Sequence, residues 1–254
     1  MDGGISGIYA YPGTPSTEIT EYVQASPYAK EKNIHSDWSA NEKTAMEAAL
    51  GMSYAGKRAM VCMKHVGLNV AADAFVNSAI TGVNGGLIVV VADDPSMPSS
   101  QNEQDSRFYG KFAMIPMLEP INQQEAYEMA YHGFELSEKY KLPVLLRITT
   151  RLAHSRAGVQ TLGKKAQNDG SLPSDLRQFV LLPAIARKNY KNLISTQSGL
   201  EVASEESTFN QYINGKDKSL GIITTGIAYN YLMENFQDKS LAHPVLKIGQ
   251  YPIP

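Results

Sequence analysis

One carboxylate, Glu42, stands where it could do chemistry. It lies near the start of the stretch 39–56, in which Ala45, Ala48, Ala49, Met52 and Ala55 recur at helical spacing and make a small, apolar face. A short strand expected around Asn33–Asp37 runs into this helix. Glu42 therefore falls just past the carboxyl end of a strand, where open α/β sheets hold their ligands. With Ala and Gly around it, such a carboxylate can approach a flat heteroaromatic ring closely. A structural role competes with this one. Ser39-x-x-Glu42 also fits a capping box, Glu42 reaching back to the Ser39 N–H, and the helix dipole favours an acid in a first turn. On the local pattern alone the cap is the commoner arrangement.

Three more loops follow strand-like segments and could converge with Glu42 on one crevice. In Tyr11-Pro12-Gly13-Thr14-Pro15-Ser16-Thr17-Glu18, Thr14 and Pro15 fit an N-cap and first-turn pair. A helix N-terminus after a glycine loop also suits a carboxylate or phosphate. The stretch Lys64 to Asn69 brings a cation, the His65 imidazole and an amide to a strand end, although a lone histidine is more often structural. From Asp93-Asp94-Pro95 to Arg107 the chain is long and polar, the kind of loop that more often carries function. Arg107 there is a candidate carboxylate clamp.

Several chemistries are set aside. No Gly-x-Gly-x-x-Gly or Gly-x-x-x-x-Gly-Lys-Ser/Thr loop is present, and no Gly-x-Ser-x-Gly elbow. His65, His132 and His154 lack zinc-ligand spacing, and the single cysteine, Cys62, excludes an intrachain disulfide or a multi-cysteine metal site within these residues. The net charge of −2 gives no electrostatic footprint for nucleic acid or an anionic membrane. The longest apolar run, Leu87 to Ala92, is too short to span a bilayer. With no targeting segment visible, a cytoplasmic location is expected.

The elements that must position these residues alternate over the first 150 positions. Expected strands are Ile5–Tyr11, Asn33–Asp37, Arg58–Lys64, Leu87–Ala92, Met114–Leu118 and Pro143–Thr149. Expected helices are Pro15–Gln24, Asn41–Gly56, Leu68–Thr81 and Gln123–Tyr140. This order predicts an α/β fold, a parallel sheet sandwiched by helices, with Leu87–Ala92 as a central strand buried on both faces. Residues 152–217 read as a connecting segment with a helix around Tyr190–Val202. Residues 218–254 read as a strand, a helix (Ile227–Phe236) and a second strand, the beginning of a truncated second α/β domain.

The motifs Tyr11 to Glu18, Trp38 to Lys43, Met63 to Asp73, Val91 to Pro95 with Ser99 to Asp105, Pro143 to Arg151 and Leu220 to Asn230 together resemble the amino-terminal part of the indolepyruvate:ferredoxin oxidoreductase alpha subunit family. That resemblance implies a thiamine diphosphate enzyme that oxidatively decarboxylates aryl 2-oxo acids to acyl-coenzyme A, with ferredoxin as acceptor. It makes residues 1–151 the pyrimidine-binding domain and 218–254 the start of a transketolase C-terminal-like domain. Glu42 matches the glutamate that hydrogen-bonds the aminopyrimidine ring nitrogen and promotes deprotonation of the cofactor. Pro12 and Thr14 are the accompanying cofactor contacts, and Thr14, His65 and Arg107 the candidate substrate contacts. No metal ligand is expected here, because the Gly-Asp-Gly-bearing domain that holds magnesium and diphosphate is missing. The cysteine-rich tail for iron–sulfur clusters is missing too, and the start looks shortened by a strand and helix. The chain is thus expected to supply only the pyrimidine half-site, to be inactive alone, to need a second subunit, and to form a homodimer partly through its Ala-rich helix. A non-catalytic binding or scaffold module that kept the fold is the alternative.

Overall fold

The unbroken apolar run at 87–92, with Asp93 after it, becomes β4 (Leu87–Asp93), every residue of which is buried. Around it the computed structural model, which describes residues 1–175, 177–236 and 241–253, builds a seven-stranded sheet. Its strands are β1 (Gly7–Ala10), β2 (His35–Trp38), β3 (Ala59–Lys64), β4, β5 (Met117–Leu118), β6 (Val144–Thr149) and β10 (Gln250–Tyr251). They lie in the order β10-β5-β6-β4-β3-β1-β2. All pairings are parallel except that of β10 with β5.

Alternate side chains of β4 feed two cores. Leu87, Val89 and Val91 join Ala45, Met46, Ala49, Leu68 and Phe75 on one face. Ile88, Val90 and Ala92 join Val23, Ile34, Met129 and Phe134 on the other. The first face is covered by α3 (Glu42–Tyr54), α4 (His65–Thr81), α5 (Arg107–Ala113) and α8 (Pro183–Glu205). The second carries α1 (Thr17–Ala25), α2 (Pro27–Glu31) and α6 (Gln123–Tyr140). Ala45 and Ala49 point into the core where α3 packs on β1, β3 and α4, while Ala48 and Ala55 are partly exposed and Lys43, Glu47 and Gly51 are exposed.

Some elements differ from expectation. The helix expected from Leu68 begins at His65, directly on β3. A helix, α5, occupies the chain after the polar loop. Met114 ends it in the left-handed region (φ 57°), which leaves only Met117–Leu118 for the strand expected from Met114. The connecting segment holds a short α7 (Thr150–Ala153), an irregular stretch and the 23-residue α8, longer than the expected 190–202. Residues 206–253 add β7 (Gln211–Ile213), β8 (Ile222–Thr225), α9 (Ile227–Glu234) and β9 (Val245–Ile248), with the three strands in a small sheet ordered β7-β9-β8. Residues 237–240 and 254 of the expected second domain lie outside the described residues. The tail then returns to the main sheet as β10.

Candidate functional site

Strands β2, β1, β3 and β4 are neighbours and parallel, so the segments that leave their carboxyl ends emerge along one edge of the sheet. Glu42 follows β2 as the first residue of α3. The cap of that helix is made by others. Asn41 Oδ1 accepts from the Thr44 N–H at 2.9 Å, and Thr44 Oγ1 accepts from the Asn41 N–H at 3.2 Å. Ser39 is committed elsewhere, its N–H donating to the Ala10 carbonyl at 2.8 Å. The Ser39–Glu42 capping box therefore does not form. Glu42 is half-buried, and its carboxylate has no hydrogen-bond or ion-pair partner among the described residues. It rests on the first turn of α4. A Cβ built on Gly67 would lie 2.5 Å from Glu42 Oε1, 2.6 Å from Cγ and 2.8 Å from Cδ.

Beside it, the loop after β1 carries Pro12 and Thr14 exposed. Thr14 is not the N-cap of α1, which starts two residues later than expected, after Ser16. The turn is closed by Gly13 N–H donating to Thr17 Oγ1 (2.9 Å) and Ser16 Oγ–H donating to the Gly13 carbonyl (2.8 Å). Gly13 packs against the Lys64 methylenes, a built Cβ falling 3.3 Å from Lys64 Cδ. The Lys64 ammonium in turn donates to the Ser99 carbonyl at 3.0 Å. His65 is 1% exposed and its Nε2 lies 3.0 Å from the Asn102 carbonyl. A carbonyl only accepts, so Nε2 carries a proton, while Nδ1 is buried with no hydrogen-bond partner among the described residues. Asp94 fastens the same polar loop, accepting from the Ser99 N–H (3.0 Å), Ser100 Oγ (2.6 Å) and Thr150 Oγ1 (2.5 Å). Burial works against its charge, but these donors outweigh it and draw the carboxyl down to about 2.

Arg107 belongs to a different place. Its guanidinium is forked onto Asp105 (Nη2 to Oδ2, 2.6 Å) and donates to Thr225 Oγ1 at 3.0 Å, with Glu119 at 3.5 Å. It lines a cavity of about 530 Å³ with Phe108, Met114, Ile223 and Tyr251, to which none of Pro12, Thr14, Glu42 or His65 contributes. Arg107 is thus held by Asp105 and Thr225 in a cavity of its own and is not brought together with Glu42. Behind it Arg147, buried in β6, bridges Asp93 (2.6 Å) and Glu119. Tyr251 donates to Glu119 at 2.9 Å, and burial together with that carboxylate pushes its phenol up to about 12. Two participants had no place in the sequence reading. Gly67 was signalled only by a glycine in the first turn of a helix, and Arg147 only by a lone charge in an apolar strand.

A mostly parallel sheet flanked by helices on both faces, with Glu42 at a helix start beyond its carboxyl edge, defines an open α/β domain. The class becomes specific by comparison. The family described as pyruvate flavodoxin/ferredoxin oxidoreductase, thiamine diphosphate-binding, matches residues 1–185, and the chain belongs to it. Indolepyruvate oxidoreductase subunit IorA of Methanothermobacter thermautotrophicus is 44% identical over 258 residues, covering 100% of this chain and 41% of the relative. The subunit of the same name from Pyrococcus abyssi is 44% identical over 262 residues, covering 100% of this chain and 40% of the relative. The chain thus spans about two fifths of the length of these curated relatives. A solved 2-oxoglutarate:ferredoxin oxidoreductase from Magnetococcus marinus shares the fold, with a TM-score of 0.73 at 18% identity over 100% of this chain and 52% of that one. Among the described residues no helix is long and apolar enough to cross a membrane, and no cluster of three or more His, Cys, Asp or Glu could hold a metal ion.

Proposed function

We propose that this chain provides the aminopyrimidine half of a thiamine diphosphate site in a longer oxidoreductase that decarboxylates an aryl 2-oxo acid of the indolepyruvate type. The observation that carries the reading is Glu42, whose carboxylate is half-buried, unpaired and relieved of any capping duty. A carboxylate so placed fits a ring nitrogen that must exchange a proton, so the residues suit the group. Thiamine diphosphate, when bound, supplies the electron sink for loss of the carboxyl group. Glu42 would hold a proton at the pyrimidine ring nitrogen and orient the ring. Pro12 and Thr14, exposed on the loop after β1, would line the ring and the approach of the 2-oxo acid. His65, buried beneath the polar loop with Nε2 on the Asn102 carbonyl, would hold that loop over the approach of the 2-oxo acid. Arg107 has no part in this proposal, its guanidinium being engaged with Asp105 and Thr225.

Magnesium and diphosphate would be held by residues beyond this chain, as would the clusters that pass electrons to ferredoxin and the coenzyme A site. The identity with IorA subunits, of which this chain spans about two fifths, supports this division of labour; in this reading the chain alone is inactive and works in a homodimeric or multi-subunit assembly. The test is Glu42→Gln in the full-length enzyme. It keeps the side chain's size and leaves the Asn41–Thr44 box intact, so the melting temperature should match the parent. Hydrogen–deuterium exchange at the cofactor C2 and turnover should fall together by about 10²–10⁴, the usual cost of a positioned acid–base group. Parental exchange in that variant would refute the assignment.

A further inference from the structure

We infer that Gly67 is the positioning residue for the Glu42 carboxylate, a role that rests on the reading of Glu42 just given. Gly67 is buried in the first turn of α4 and has no positive φ, so its backbone makes no demand for glycine. Helix propensity argues against glycine there, since alanine is favoured by up to about 1 kcal/mol. What requires it is Glu42. A methyl group at Gly67 would lie 2.6 Å from Glu42 Cγ and 2.8 Å from Cδ, well inside contact distance. Because Cγ itself collides, a small tilt of the carboxylate cannot relieve the overlap. The side chain must turn about its Cα–Cβ bond, which carries the carboxylate off α4.

The contact lies in the first turn of α4, so the position of that helix start fixes where the Glu42 side chain can rest. Gly67 thus lets one helix hold the acid of another at a defined point. The resulting expectation has opposite signs for stability and for binding. Gly67→Ala should fold at least as well as the parent and bind the cofactor less well.

Gly51 supplies a matched control. It is also helical, in α3, and a Cβ built there meets nothing within 4 Å. In the full-length apoenzyme, the affinity for thiamine diphosphate with magnesium is measured by titration calorimetry and stability by melting temperature. Gly67→Ala should leave the melting temperature equal or higher and weaken binding roughly 10- to 100-fold, the range for losing a hydrogen bond to a charged group. Gly51→Ala should raise the melting temperature with unchanged affinity. In a Glu42→Ala background, Gly67→Ala should cost no further affinity, because the colliding atoms are gone. Parental affinity in Gly67→Ala would overturn the inference. So would a second, equal loss in the double variant, which would place the methyl group against the cofactor rather than against Glu42. A melting temperature lowered in both backgrounds would make Gly67 a packing residue only. If Glu42→Ala itself binds as the parent does, the reading of Glu42 fails, a result distinct from the failure of Gly67 alone.

Discussion

At the scale of single residues, the separation of capping from chemistry at the start of α3 is what frees Glu42. Asn41 and Thr44 satisfy the helix N-terminus, so the acid beside them has no structural bond to lose. Asp94 is the opposite case, a carboxylate wholly engaged in holding the polar loop with Ser99, Ser100 and Thr150. Its carboxyl sits at about 2 in the folded chain against an ordinary 3.8. A depressed value means that its contribution is complete above about pH 4 and is lost as the pH falls through about 2. Pepsin cleavage within 95–105 should therefore be slow at pH 4 and accelerate toward pH 2. Asp94→Asn, which cannot accept all these donors, should be cleaved quickly at pH 4, and the gap between the two proteins should close near pH 2. Equal cleavage of both at pH 4 would show that the loop is held by other bonds.

At the scale of elements, Arg147 ties three strands together at the ends that face the second sheet. Its guanidinium spans Asp93 of β4 and Glu119, just after β5, while Glu119 also receives Tyr251 of β10. Burial opposes the arginine's charge, but Glu119 and Asp93 outweigh it and hold the guanidinium above its usual value. Removing Arg147 leaves Asp93 with the Ser106 N–H and Glu119 with Tyr251 and Arg107 but without their buried counter-ion, at a cost of about 3–5 kcal/mol. Arg147→Gln should lower the urea midpoint accordingly with an unchanged slope. A loss below about 1 kcal/mol, the range of exposed pairs, would show that water reaches the cluster. The same logic explains Arg107. A cation between Asp105, Glu119 and Thr225 organises the junction of α5 and β8.

Across the whole molecule, stability should be graded from the main sheet outward. Strands β3, β4 and β6 are buried between two helical layers, whereas α9 has no fully buried residue. Its small sheet is joined to the rest through β10, through Lys247 of β9 paired with Glu125 of α6, and through Asn230 donating to the Ile121 carbonyl. Segments with few buried contacts open without global unfolding. Hydrogen exchange followed by mass spectrometry should show peptides of α9 and of the irregular stretch 155–175 exchanging orders of magnitude faster than β4. Protection of α9 equal to that of β4 would mean that both sheets unfold as one unit.

The fold was legible because its cause is local. A short, β-branched apolar run without alternation fits a strand covered on both faces, and the helical spacing of Ala45, Ala49 and Met52 fits a helix with one buried face. Alternation of the two kinds of segment then dictates a parallel sheet, and a parallel sheet puts the end of β2, with Glu42 after it, on the ligand edge. The local pattern pointed to one cap, Ser39-x-x-Glu42, and the folded chain forms a second, Asn41–Thr44. The structure chose the second because β1 and β2 run in register and the Ser39 N–H continues their ladder onto Ala10. The seat of Glu42 on Gly67, the engagement of Arg107 by Asp105 and Thr225, and the return of β10 to the main sheet all join residues far apart in the chain. Periodicity records which face of an element is buried. It carries no record of what that face meets, which is settled only when the elements pack.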